Sequence, residues 1–159
     1  MTPSSHSWGK KKMREWMSNY AYFIIPLFAW IIAQVAKIVI KGLSESDWNW
    51  RYIYRSGGMP SAHTTIVVSL CTVVGVRLGT HAPEFGIACT LAAIVMYDAI
   101  NVRHAVGEHA VAIRAMLPVV FKKAEKTIPI HQSYGHTPME VMAGLVIGVV
   151  VPIFVFIVT

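Results

Sequence analysis

The stretch VMAGLVIGVVVPIFVFIVT, residues 141–159, decides the fold class of this chain. It carries no charged residue, and a membrane-spanning helix needs about 20 apolar residues, within a range of about 17 to 25. A helix formed by this stretch would have no polar face to offer to water, which argues against a soluble helical bundle. The stretch therefore predicts a transmembrane helix.

The composition of the whole chain points the same way. Of its 159 residues, 55% are hydrophobic and only 14% are charged, with a mean hydropathy of +0.52. Soluble domains carry about 25% charged residues, so this chain lacks the polar surface that a water-exposed globule needs. The two cysteines, Cys71 and Cys89, lie inside apolar stretches and are interpreted as inert, buried thiols.

Four apolar runs predict four transmembrane helices, near residues 20–40, 61–79, 83–98 and 139–158. The mixed segment near 102–124 has apolar residues at helical spacing and predicts an amphipathic helix against the bundle or in the headgroup layer. We therefore expect an all-α, polytopic membrane bundle, with a basic segment at 1–19 and a single integral membrane domain at 20–159. The expected location is a bacterial-type cytoplasmic membrane, which the chain crosses several times.

Basic residues cluster before the first and last apolar runs, in a chain of net charge +6. Such clusters suit anionic lipid headgroups, and no polar domain exists to present them to nucleic acid, so we expect a bilayer partner and no nucleic acid. The sequence leaves homo-oligomer formation open. It also leaves the orientation open, because counting basic residues under the positive-inside rule includes arginines expected to bind phosphate.

An even number of spans gathers the unusual polar residues at one end of the bundle. Four crossings place the 41–60 loop, the 98–135 segment and the turn before the last helix on the same side. Ionisable residues at helix ends that face a bundle interior indicate a functional site. The set comprises Lys37, the SGGMPSAH loop at 56–63, Asp98, Arg103, His136 and Glu140.

Two histidines and a carboxylate in this set suggest acid–base and nucleophilic chemistry. His136 and Glu140 are four residues apart on a predicted helix, so they share a face and the carboxylate can reach the ring. A carboxylate on one imidazole nitrogen fixes the tautomer and leaves the other nitrogen nucleophilic. His63 is then available as a general acid.

The remaining polar groups indicate an anion site. Positive charge comes from Lys37, Arg55 and Arg103, and backbone amides at a helix N-terminus come from Gly57, Gly58 and Ser61. The loop lacks the GK[ST] ending of a P-loop. By residue type alone His63, His136, Asp98 and Glu140 are also metal ligands, although the neighbouring cations would repel a metal ion. We therefore expect phosphoryl transfer without metal or other cofactor.

Three motifs in order, SGGMPSAH, DAINVRHAVGEHA and GHTPMEVMAGLVIG, resemble the divergent type-2 phosphatidic-acid-phosphatase family. That family is similar to the wider superfamily of lipid phosphatases and vanadium-dependent haloperoxidases, whose pattern is KxxxxxxRP, PSGH and SRxxxxxHxxxD. PSAH at 60–63 matches the second element with Ala62 in place of glycine, and HTPME at 136–140 matches the end of the third.

The resemblance implies roles for individual residues. His136 is the implied nucleophile, Glu140 its orienting carboxylate, and His63 the acid that protonates the leaving group. Lys37 matches the first element but no arginine–proline pair follows it, and Ile130 stands where the arginine of the third element belongs. Arg103, in the same segment as Asp98, is the candidate replacement.

These implications lead to one leading hypothesis and two alternatives. The first is a membrane phosphatase that hydrolyses a lipid-linked phosphate or pyrophosphate of prenyl or glycerolipid type through a phosphohistidine. The second is a non-catalytic protein that binds or translocates lipid phosphates and keeps the anion site. The third is a structural membrane protein whose polar residues only cap helices, which does not explain why those residues gather at one end.

Overall fold

The computed structural model describes residues 5–45, 58–120 and 135–159, with side chains for 20–44, 58–117 and 135–159. This part of the chain contains no β-strand, and the predicted all-α fold is confirmed. Its elements are α1 (Ser5–Glu45), α2 (Ala62–Leu78), α3 (Pro83–Tyr97), a π-helical segment (Asp98–Val102), α4 (Arg103–Val120) and α5 (Pro138–Val158).

The lengths and surfaces of these helices suit a bilayer. Three helical runs are long and apolar enough to cross a membrane, namely Tyr20–Ser44 in α1, Pro83–Leu117 and α5, and the shorter α2 is also apolar. Large apolar side chains point outward, with Phe23 69%, Ile87 70% and Ile157 76% exposed. Soluble monomers rarely expose such contiguous apolar surface. The chain is an integral membrane protein, as its sequence predicts.

Helix α2 is the centre of the bundle and packs against α1, α3 and α5. It approaches α5 closely at two glycines. A Cβ at Gly144 would lie 2.5 Å from the Ser61 carbonyl oxygen, and one at Gly148 would lie 2.8 Å from Val68 Cβ. Small residues four apart let helix backbones approach closely in lipid, where van der Waals packing replaces the hydrophobic effect.

Two threonine hydroxyls reinforce this crossing. The Thr65 hydroxyl lies 3.1 Å from the Gly144 carbonyl oxygen, and the Thr72 hydroxyl lies 3.3 Å from that of Gly148. Each also lies within bonding distance of a carbonyl oxygen one turn earlier in α2. These two threonine side chains are therefore paired with backbone within the apolar bundle, where an unpaired polar group is costly.

Helices α1 and α2 run antiparallel. Near the start of α2, Gly58 lies beside Lys37, whereas Val73, further along α2, packs against Ala21 and Ile25 of α1. The Ser61 amide donates a hydrogen bond to the Glu140 carbonyl oxygen (2.9 Å), which brings the start of α5 to the same place. We call this the site end of the bundle, and the end that carries Arg77 the opposite end.

The helix formed by the third apolar run does not end at Asp98 but continues through the π-helical segment into α4. The run Pro83–Leu117 has 35 residues, which at 1.5 Å per residue is about 52 Å and exceeds a hydrocarbon core of about 30 Å. Helix α4 continues directly from the π-helical segment and, in the described part of the chain, makes few contacts with the other helices. The last four residues of the predicted amphipathic helix, 121–124, lie outside the described residues.

The two cysteines lie on neighbouring helices. Cys71 Sγ of α2 and Cys89 Sγ of α3 are 3.2 Å apart, and both residues are free thiols of intermediate exposure. The sequence interpretation of both thiols as buried is therefore wrong, because each cysteine is only partly covered where α2 and α3 meet.

Candidate active site

His136 lies at the start of α5 and its orientation is fixed from two sides. Its side chain is only 5% exposed, and its backbone amide donates to the Ala99 carbonyl oxygen at 3.0 Å. Its ring atom Nδ1 lies 2.8 Å from Glu140 Oε2. Because an ionised carboxylate accepts and does not donate, this contact favours a proton on Nδ1 and leaves a lone pair on Nε2.

The Glu140 carboxylate is itself held by the helix cap. Thr137 is the N-cap of α5, and its hydroxyl accepts from the Glu140 amide at 3.4 Å. The Thr137 amide in turn donates to Glu140 Oε2 at 3.2 Å, which completes a capping box. Glu140 Oε2 therefore receives a backbone hydrogen bond as well as the His136 ring, and its position is set by the start of the helix.

Ser61 begins α2 and connects it to α5. Its Oγ accepts from the Thr64 amide (3.4 Å) and lies 3.0 Å from the Thr64 hydroxyl oxygen. The sequence prediction places the Ser61 amide among the anion donors, but in the structure that amide donates to the Glu140 carbonyl oxygen. Ser61 thus holds the starts of α2 and α5 together, and the position of α2 is coupled to that of Glu140 through this hydrogen bond.

His63 stands in the first turn of α2, and its side chain is exposed. It lies within electrostatic range of four groups that the sequence assigned to the same site: Arg103, His136, Lys37 and Asp98. The fold therefore brings the two histidines of the predicted pair together from helices that are far apart in sequence. One ring is buried and held, and the other is open to an incoming ligand.

Lys37 approaches this group from α1 and is buried, with 4% of its surface exposed. It lies within electrostatic range of Glu140 and of Lys41, one turn further along α1. Its side chain runs past Gly58, where a Cβ would lie 3.9 Å from Lys37 Cγ and Cδ. Gly58 has φ +91, a left-handed conformation that favours glycine, so the loop can lie against the lysine stem.

Asp98 and Arg103 face each other across the π-helical segment. Arg103 Nε lies 2.7 Å from Asp98 Oδ2, and both side chains are partly exposed. Their spacing of five residues matches the i to i+5 repeat of a π-helix, a feature often found at functional sites. This hydrogen bond uses one guanidinium donor, so the other donors of Arg103 remain for a ligand.

Gly135, the residue before His136, lies very close to the backbone at the start of α4. A Cβ at this position would collide with the His104 backbone at the start of α4, so no side chain fits there. The close contact explains why a glycine precedes His136. The sequence alone does not predict this contact, because His104 lies some thirty positions earlier in the chain than Gly135.

Two predicted phosphate-binding residues, Arg55 and Gly57, lie outside the described residues. Within the described part of the chain, no three His, Cys, Asp or Glu side chains are grouped so as to hold a metal ion. The described members of the predicted site do come together: two cations, two histidines and two carboxylates. Such a site can hold an anion beside a nucleophilic nitrogen and a proton donor.

Fold and sequence together define a helical integral membrane protein whose polar residues converge at one end of the bundle. The chain belongs to the Divergent PAP2 family, whose model matches residues 18–151. This range includes every described candidate residue, from Lys37 to Glu140. The family resemblance drawn from the three motifs is therefore confirmed.

A curated relative supports the same assignment. The chain is 31% identical over 147 residues to the uncharacterized membrane protein YuiD of Bacillus subtilis (strain 168), an alignment that covers 85% of this chain and 92% of the relative. No solved structure matches the chain. The family and its membrane location rest on these two matches.

Proposed function

We propose that this protein is a membrane phosphatase that hydrolyses a lipid-linked phosphate or pyrophosphate through a phosphohistidine. The observation that carries the proposal is the buried His136 ring, whose Nδ1 lies 2.8 Å from Glu140 Oε2. That contact leaves Nε2 as the free nucleophile. An exposed second imidazole, His63, lies within electrostatic range of it.

In the first step, His136 Nε2 attacks phosphorus and forms an N–P bond while the bond from phosphorus to the lipid oxygen breaks. Protonated His63 transfers its proton to that leaving oxygen, which prevents a costly alkoxide from developing. Glu140 stabilises the positive charge that appears on the His136 ring. The lipid leaves as an alcohol, or as a monophosphate when the substrate is a diphosphate.

In the second step, a water molecule attacks the phosphorus of the phosphohistidine. The now neutral His63 accepts a proton from this water, the N–P bond breaks, and its electron pair returns to Nε2. Inorganic phosphate is released and both histidines regain their starting protonation states. Lys37 and Arg103 stabilise the charge on the phosphoryl oxygens in both steps.

A second candidate function is a lipid-phosphate binding or translocating protein without turnover. It is favoured by the Asp98–Arg103 pair, because a carboxylate 2.7 Å from the guanidinium offsets charge that would otherwise act on phosphate. It is also favoured by Ile130, which occupies the position of the motif arginine. Such a protein would bind lipid phosphates through the same cations and release no phosphate.

Phosphate release from purified protein in detergent separates the two functions. We expect release from prenyl or glycerolipid phosphates, inhibition by orthovanadate as a mimic of pentacoordinate phosphorus, and no release from His136→Ala. His109→Ala, a histidine on the exposed surface of α4, is the matched control and should keep full activity. Lipid-phosphate binding with no release by the wild-type chain would establish the second candidate, and undiminished release by His136→Ala would reject the phosphohistidine.

A further inference from the structure

A pair of thiols lies between α2 and α3, away from the site end of the bundle. Cys71 Sγ and Cys89 Sγ are 3.2 Å apart, and both residues are free cysteines. A disulfide bond joins two sulfur atoms at about 2.05 Å. The two sulfurs therefore need to approach each other by only about 1 Å for a bond to form.

Close packing of the two helices keeps these sulfurs together. A short connection at 79–82 joins α2 to α3 as antiparallel neighbours. One turn away from the thiols, a Cβ on Gly75 would lie 2.8 Å from Phe85 Cε2. The contacts Gly75–Phe85 and Cys71–Cys89 are four residues apart on each helix, so they belong to one antiparallel register. The short distance between the thiols is therefore part of how the two helices pack.

The pair also lies at the apolar middle of both helices. Cys71 follows Ala62, the first residue of α2, by nine positions, and Cys89 precedes Asp98 by nine. At 1.5 Å per residue, each cysteine is about 13.5 Å from the site end of its helix. A hydrocarbon core is about 30 Å thick, so the pair lies near its centre. The surrounding stretches, 64–76 and 85–97, contain no charged residue.

This environment selects the kind of oxidation that the thiols can undergo. Both cysteines are partly exposed on the surface of an apolar bundle, where lipid chains take the place of water. The common reactions of cysteine begin with a thiolate, and an isolated charge is costly in hydrocarbon. Transfer of a hydrogen atom from a neutral thiol creates no charge. Neutral radicals dissolved in the lipid are therefore the oxidants that suit this pair.

We infer that Cys71 and Cys89 form a dithiol site that donates two hydrogen atoms to lipid peroxyl radicals and closes to an intramolecular disulfide. A first peroxyl radical takes the hydrogen atom of one thiol, so that the S–H bond breaks, an O–H bond forms, and a lipid hydroperoxide and a sulfur radical remain. A second peroxyl radical takes the hydrogen atom of the other thiol, and the two sulfur radicals couple. Two thiols and two peroxyl radicals thus give one disulfide and two lipid hydroperoxides.

The distance between the sulfurs explains why two thiols are needed. A sulfur radical without a partner takes a hydrogen atom from a neighbouring lipid chain and continues the peroxidation. A second thiol at 3.2 Å offers a partner within the same chain, and coupling ends the radical reaction. This dithiol site is separate from the proposed phosphatase site and does not depend on it.

Radical oxidation of the reconstituted chain tests the inference. The full chain is placed in vesicles of polyunsaturated phosphatidylcholine, and a lipid-soluble azo initiator generates radicals inside the bilayer. The chain has two cysteines, so every thiol that is lost belongs to the pair. We expect alkylation and mass spectrometry to show the loss of both thiols and a peptide cross-linked through Cys71 and Cys89. Formation of conjugated dienes in the lipid should be delayed until the thiols are consumed, relative to vesicles without protein.

Variants with a single cysteine separate the pair from an isolated thiol. Cys71→Ala and Cys89→Ala each keep one thiol, and both should lose the cross-link and nearly all of the delay in lipid oxidation. Thr90→Ala is the matched control, because it removes an exposed hydroxyl next to Cys89 and leaves both thiols in place. It should keep the cross-link and the delay. The cross-linked peptide of the wild-type chain tests the pairing even where an alanine variant fails to fold.

Three results would overturn the inference. Both thiols remaining free after the lipid has been oxidised would show that the pair does not react with lipid radicals. A disulfide between two chains, seen as a dimer on a non-reducing gel, with no cross-link inside one chain, would reject the intramolecular pair. Glutathione disulfide, a water-soluble oxidant, should leave the thiols free, and oxidation by it at the rate seen with the lipid radicals would reject the lipid as the source of the oxidant.

Discussion

The two ends of the bundle use positive charge in different ways. At the opposite end, the Arg77 guanidinium lies over the rings of Tyr22 and Phe156, 5.6 and 5.7 Å from their centroids. This arrangement is cation–π packing at a helix end, where a long side chain reaches the interface. It involves three helices, since Tyr22, Arg77 and Phe156 belong to α1, α2 and α5.

At the site end, the described cations stand beside titratable groups. Lys37 lies within range of Glu140, and Arg103 bonds to Asp98, while His63 lies within range of both cations. Packing against rings explains a single arginine, but it does not explain a cluster of opposite charges around two imidazoles. A basic residue at a helix end therefore indicates function only when its neighbours are themselves reactive.

Among variants that keep the His136 ring, the largest expected effect is at Glu140. Glu140→Gln keeps the shape of the side chain but no longer stabilises a positive His136 ring, so phosphate release should fall by about 10³- to 10⁴-fold. Initial rates of phosphate release measure this loss. Glu108→Gln, an exposed carboxylate on α4, is the control and should keep the wild-type rate. A Glu140→Gln rate within tenfold of wild type would contradict the role of the pair.

His63 should show a smaller loss that depends on the leaving group. His63→Asn removes the proton donor, so release from an alkyl phosphate should fall by about 10²- to 10³-fold. An aryl phosphate with an acidic leaving group needs little protonation, and the loss there should shrink. Rates with the two substrate types give this comparison, and an equal loss for both would indicate that His63 acts only through binding or folding.

Stability tests the packing that joins the two helix starts. Gly144→Ala places a Cβ 2.5 Å from the Ser61 carbonyl oxygen, which should lower the free energy of unfolding by about 1–3 kcal/mol. Gly86→Ala is the matched control, because a Cβ there meets nothing within 4 Å and alanine favours a helix. Thermal unfolding in detergent should rank Gly144→Ala below both wild type and Gly86→Ala, and the reverse order would refute the close crossing.

The smallest effect is expected at the opposite end. Arg77→Met removes the two ring contacts and should cost about 0.5–1 kcal/mol of stability at this partly exposed site. Phosphate release should be unchanged, because Arg77 belongs to the end of the bundle away from His136. A clear loss of phosphate release with an unchanged melting temperature would contradict the claim that Arg77 contributes only to stability.

Much of the fold and part of the site could be predicted from local sequence. Apolar run length indicates the membrane helices, and the four-residue spacing of His136 and Glu140 predicts their contact because an α-helix repeats every 3.6 residues. The start of this helix is also predicted from local sequence, by a capping pattern of Thr137, Pro138 and Glu140. The gathering of His63, Lys37 and Arg103 follows from an even number of spans.

Other features depend on contacts between distant segments. The sequence predicts that the third apolar run ends at Asp98, and a π-helical segment that continues it has no simple periodic signal. The use of the Ser61 amide by Glu140, and the contact of Gly135 with His104, exist only once α2, α4 and α5 have packed. The position of Lys41 beside Gly58 depends on the loop in the same way.

Trapping the covalent intermediate on His136 tests the proposed phosphohistidine most directly. The wild-type chain is mixed with a lipid phosphate labelled at the group to be transferred, quenched in alkali within one turnover, and digested for peptide mapping. A phosphohistidine is labile in acid and survives alkali, and we expect the label on the peptide that contains His136 and none in His136→Ala. Label on another residue, or phosphate release by His136→Ala at the wild-type rate, would contradict the central claim.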